Sequence, residues 1–102
     1  MSYETEIEML EAEWASEEGF FWRIRHGQFT TNDVDRALAK LSRISIPEDG
    51  EVPRRLVSLL WYIPIFIHWQ IERIHESGGD LENYKKSIPT MTDEIERVLV
   101  VP

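Results

Sequence analysis

Apolar residues return every three or four positions along most of this 102-residue chain, and that period admits one class of backbone. Tyr3, Ile7, Leu10 and Trp14 are spaced 4, 3 and 4 apart, and Val34, Leu38, Leu41 and Ile44, with Ala37, repeat the pattern. Leu81, Tyr84, Ile88, Met91, Ile95 and Val98 carry it through the C-terminal part. A helix gathers such positions on one face, whereas a half-buried strand needs alternation. No alternation of polar and apolar residues reaches a strand's length, apart from the brief Ile44-Ser45-Ile46. The expected fold is all-α, a compact bundle of four long helices plus one short helix, in a single helical domain over 1–102.

Glycine, proline and capping residues divide the pattern. A first amphipathic helix is expected over 2–17, with a break at Gly19. Phe20-Phe21-Trp22-Arg23-Ile24-Arg25-His26 then fits about two helical turns before Gly27. Thr30-Thr31-Asn32 supplies N-cap candidates for a helix over 32–43, which stops before Pro47. The stretch Ser45-Ile46-Pro47-Glu48-Asp49-Gly50 is turn-rich, and Pro53 suits the first position of the next helix.

That next helix is expected over 53–77 and is apolar on most sides in its first half, from Leu56 to Ile67, which marks it as the central helix. Pro64 has no N–H to donate to the carbonyl of Leu60, so the helix should bend there or divide into two. Gly78-Gly79 ends it, and Asp80 can cap a last helix over 80–100. Pro89 does not shift the apolar phase, so one kinked C-terminal helix is expected.

Composition narrows the function classes. The chain is 42% hydrophobic and 29% charged, as an ordinary globular protein is, and contains no Cys, which removes disulfides and thiolate chemistry. A cysteine-free chain of this size suits a reducing compartment, and Met1-Ser2-Tyr3-Glu4 lacks the basic and apolar regions of a signal peptide, so a cytoplasmic location is expected. The longest apolar run, 59–67, falls short of the roughly 20 residues a bilayer span needs, and no membrane partner is expected.

Charge is distributed unevenly. The first eighteen residues hold Glu4, Glu6, Glu8, Glu11, Glu13, Glu17 and Glu18 with no Lys or Arg. They carry nearly all of the net charge of -8, since the rest of the chain has 12 acidic against 11 basic residues. The pairs Glu4/Glu8 and Glu13/Glu17, at i and i+4, repel by about 0.2–0.5 kcal/mol each, which packing of the Trp14 stripe must outweigh. One function of so concentrated a charge is solubility; the other is recognition of a cationic surface. Arg23 and Arg25 are candidates to neutralise these glutamates from within.

Other constellations point less far. His68, Glu72 and His75 share a helical face, and Glu72-Arg73-Ile74-His75 has the Glu-x-x-His form of di-iron bundles, but the second copy such sites need is missing, so no metal and no cofactor is expected. Phosphate-cradling glycine loops and nucleophile elbows are absent, which argues against an enzyme. An isoelectric point near 4.8 disfavours direct nucleic-acid binding. Among the aromatics Trp14, Phe20, Phe21, Trp22 and Phe29, three consecutive rings cannot all face one layer of packing, and Trp22 is the candidate to project as an interface anchor.

Leu10-Glu11-Ala12-Glu13-Trp14, the run Gly19 to Phe29, and Pro53-Arg54-Arg55-Leu56-Val57-Ser58-Leu59-Leu60-Trp61-Tyr62 together resemble a family of small helical bacterial immunity proteins of polymorphic toxin systems. The resemblance implies a cytoplasmic protein that binds and neutralises a cognate toxin. It joins the charge pattern at one point: nuclease toxins present basic clefts that an acidic helix can cover. The expected function is therefore a binding, inhibitory protein whose partner has a basic surface, with the seven first-helix glutamates and Trp22 at the contact. The alternative is a helical adaptor or oligomerisation module working through the aromatic patch; the oligomeric state stays open.

Overall fold

The stops of the helices follow local chemistry. In a computed structural model, which describes residues 3–102, Gly19 separates α1 (Glu4–Ala15) from α2 (Phe20–Arg25). Thr30 caps α3 (Thr31–Ser42) by accepting a hydrogen bond from the Asp33 amide at 3.1 Å. Asp80 caps α7 (Leu81–Leu99), accepting from the Asn83 amide at 3.2 Å. Each cap satisfies a donor that the first helical turn leaves free. The described residues are all-α, with no strand among them; the expected helix start at Ser2 lies outside them.

The single helix expected over 53–77 is three helices: α4 (Arg54–Trp61), α5 (Ile63–Trp69) and α6 (Ile71–Glu76). Pro64 sits in the first turn of α5, where its missing N–H costs little, so the chain divides at Tyr62. A second break, at Gln70 (φ -88°, ψ 1°), has no proline to explain it. Rotational phase nevertheless persists through both breaks. Phe66 donates to the Tyr62 carbonyl, Gln70 to Phe66 and Ile74 to Gln70, at 2.9, 3.2 and 3.0 Å. Leu56, Leu59, Leu60, Ile63, Phe66, Ile67 and Ile74 consequently face inward in one continuous series.

Pro89 behaves differently. It lies on the exposed side of α7, which runs without interruption across it. Lys85, whose carbonyl it leaves without a helical donor, is exposed as well.

The 53–77 segment packs against α1 through α4, against α2 through α6, and against α7 through all three of its helices. α7 also packs against α3, and α1 lies on α2. All seven helices contribute to one buried apolar cluster, from Leu10 in α1 to Val98 in α7. Two polar ties fix the frame from inside. The Tyr84 hydroxyl donates to the Ile67 carbonyl at 2.6 Å, and Arg97 donates to the carbonyls of Ile44 and Leu41 at 3.1 and 3.0 Å, closing the C-terminal end of α3. Gly19 lets α2 approach α1: a Cβ there would stand 2.4 Å from the carbonyl oxygens of both Ala12 and Glu13.

Candidate partner-binding surface

α1 docks through the predicted stripe. Tyr3 and Leu10 are buried, and Ile7 and Trp14 pack against the core. Trp14 is the most heavily engaged of them. Its indole Nε1 donates to the Leu59 carbonyl at 3.1 Å, its ring stacks on Phe21 with centroids 4.5 Å apart, and the edge of Phe66 meets it at 4.8 Å. This contact ties α1 to α2, α4 and α5 together.

Docking distributes the seven glutamates unequally. Glu13 is buried, with Oε1 2.6 Å from Lys40 Nζ of α3 and Oε2 accepting from the Phe20 amide at 2.9 Å. It caps α2 and joins three helices, so its carboxylate is not a contact for an outside partner. Glu11 is half-exposed and accepts from Nε and Nη2 of Arg55 at 3.2 and 2.9 Å. Glu4 is exposed and Glu6 is half-buried beside a hollow of about 310 Å³ that Lys40 and Arg43 also line. Glu8, Glu17 and Glu18 are exposed, and their carboxylates form no ion pair among the described residues.

Lys40 and Arg55 pair with glutamates of α1, whereas Arg23 and Arg25 engage other groups. Arg23 Nε lies 3.3 Å from Asp33 Oδ2, and Arg36 pairs with the other oxygen of the same buried carboxylate. The Arg25 guanidinium lies over the Phe66 ring at 5.1 Å and 6.0 Å from that of Trp14, a cation–π arrangement that covers the aromatic core.

Trp22 is half-buried. Its ring stacks on His26 with centroids 3.9 Å apart, and His26 Nδ1 donates to the Trp22 carbonyl at 2.8 Å. Phe20 and Phe21 are core residues, and Phe29 sets its edge against Tyr84 at 5.1 Å. Large apolar residues that project from the helices lie elsewhere. Trp69 is 70% exposed, Trp61 52% and Ile65 38%. Both Trp61 and Ile65 belong to the 56–67 run expected in the central helix; the available signal was its apolar character on most sides, which one covering layer cannot bury.

His68, Glu72 and His75 are exposed along α5 and α6, and no group of three or more His, Asp or Glu side chains among the described residues is arranged to hold a metal ion. No helix among them is long and apolar enough to cross a membrane. No protein-family model, curated protein or solved structure matches the chain.

Proposed function

We propose that this is a non-catalytic binding protein that covers the basic surface of a partner protein, as an immunity protein covers a toxin. The observation that carries the reading is the exposed set Glu8, Glu17 and Glu18, on α1 and in the turn after it, with no cation paired to any of them among the described residues. A docked helix holds charge in a defined arrangement at no ordering cost on binding, and long-range attraction then accelerates encounter with a cationic cleft. A nuclease domain, whose substrate is a polyanion, presents such a cleft.

Trp22, half-buried on α2, the helix after this turn, is the aromatic contact assigned to the same partner. The role given to Glu11 and Glu13 is internal: they hold α1 in place so that the exposed carboxylates keep their positions.

Co-expression with the toxic domain of a secreted multidomain protein encoded beside this chain tests the reading. Growth restored by the wild type, and association with the purified domain that slows at least tenfold from low to physiological salt, is expected. Growth that is not restored, or association indifferent to Glu8→Gln, Glu17→Gln and Glu18→Gln combined, overturns it.

A further inference from the structure

The solvent face of α4 to α6 has a polarity along its length. The inward series from Leu56 to Ile74 leaves Arg54, Ser58, Trp61, Ile65, Trp69, Glu72 and Glu76 outside, all exposed. From one end to the other this face is cationic, apolar and acidic. Arg54, Glu72 and Glu76 form no ion pair among the described residues. Arg73, the other cation at the acidic end, donates to the Gln70 side chain at 3.3 Å.

The spacing is symmetric about Ile65. Trp61 and Trp69 each lie four residues from it, and Arg54 and Glu76 each lie eleven residues from it. We propose that this face pairs two copies of the chain antiparallel, about a two-fold axis at Ile65. Trp61 of one copy then meets Trp69 of the other, and Arg54 meets Glu76 twice. A two-fold interface must be self-complementary, and a face whose charges invert across its apolar centre meets that condition. Parallel pairing would set like charge against like.

Two tryptophans more than half exposed on one short helical face are an unusual burden for a single soluble chain, and aromatic side chains at the centre of a patch are the residues that carry interface energy. A bilayer surface is the less fitting occupant. Glu72 and Glu76 border the stripe, and a chain of net charge -8 is repelled by anionic lipid. The pairing face is independent of the Glu8, Glu17 and Glu18 surface, so either assignment can fail alone.

Sedimentation velocity of the full chain over about 1–200 μM, the range in which a modest interface populates its dimer, tests this. Mass rising from 12.1 kDa toward twice that value is expected. Trp61→Ser with Trp69→Ser should hold the chain monomeric with unchanged helical circular dichroism. Arg54→Glu and Glu76→Arg should each weaken association about tenfold, and the two combined should restore it, because the swap rebuilds both pairs. A wild type monomeric throughout, a dimer indifferent to the tryptophan variants, or a charge swap without recovery overturns the proposal. So does a monomeric wild type that sediments with phosphatidylcholine vesicles, which would assign the stripe to lipid.

Discussion

Glu13 of α1 and Lys40 of α3 meet at 2.6 Å, with the carboxylate side chain only 9% exposed and its second oxygen holding the Phe20 amide. An acidic residue in the most acidic stretch of the chain is thus the internal joint between three helices. Its amide replacement keeps an acceptor for Phe20 but turns a donor or a neutral oxygen toward the ammonium. Glu13→Gln should cost about 2 kcal/mol, discounted for the partly exposed Lys40, and lower the midpoint of thermal unfolding by roughly 10 °C. Calorimetry checks it.

The exposed glutamates predict the opposite. Glu8→Gln removes a like-charge neighbour of Glu4 at i,i+4, Glu17→Gln alters a side chain in the turn beyond α1, and neither breaks an ion pair among the described residues, so each should change stability by less than about 0.5 kcal/mol. Urea unfolding of the single variants, set beside Glu13→Gln, separates carboxylates free for a partner from the one that builds the fold. A loss near that of Glu13→Gln at either position would contradict the assignment.

Gly19 is required by contact. Its backbone is extended (φ -73°, ψ 145°), a conformation open to any residue, yet an added Cβ would press on two backbone oxygens of α1 at 2.4 Å. Gly19→Ala should destabilise by about 2–3 kcal/mol and lift α1 from α2. Increased amide exchange at Phe20 and quenchable Trp14 fluorescence would register the separation.

Tyr84 is buried with its hydroxyl bonded to the Ile67 carbonyl, and burial pushes the phenol above its ordinary value of 10.0. The folded chain therefore keeps a proton that the unfolded chain gives up. Stability is unaffected below that ordinary value and declines as pH rises above it. Tyr84→Phe should cost about 1–3 kcal/mol at neutral pH by orphaning the Ile67 carbonyl, and should flatten the alkaline decline. Urea midpoints from pH 7 to about 11 would show both.

Much of the fold was legible in the residues, because helical periodicity is a local property of the backbone. The stripes of α1, α3 and α7 are continuous in sequence, their caps at Thr30 and Asp80 lie where the chemistry of the termini requires, and Gly19 marks a break. The candidate surface was less legible. Seven glutamates read alike along the chain, and helical phase does not single out Glu13: it stands about 60° from Leu10, farther from the stripe than Glu6. The choice of Lys40 and Arg55 as counterions over Arg23 and Arg25 had no local sign either, since both partners lie far along the chain from α1.

The amino-acid sequence by itself determined the helical class, the inward stripe of each helix and the concentration of negative charge at one end. Each depends on neighbours within a few residues. Only the tertiary structure decided which carboxylates are consumed as internal ties and which side of α4 to α6 remains uncovered. A helix that is apolar all round buries as many faces as it has neighbours, and here α7 and α1 take the inner sides while Trp61, Ile65 and Trp69 meet solvent. Periodicity says which side chains share a face; long-range packing says what lies against it.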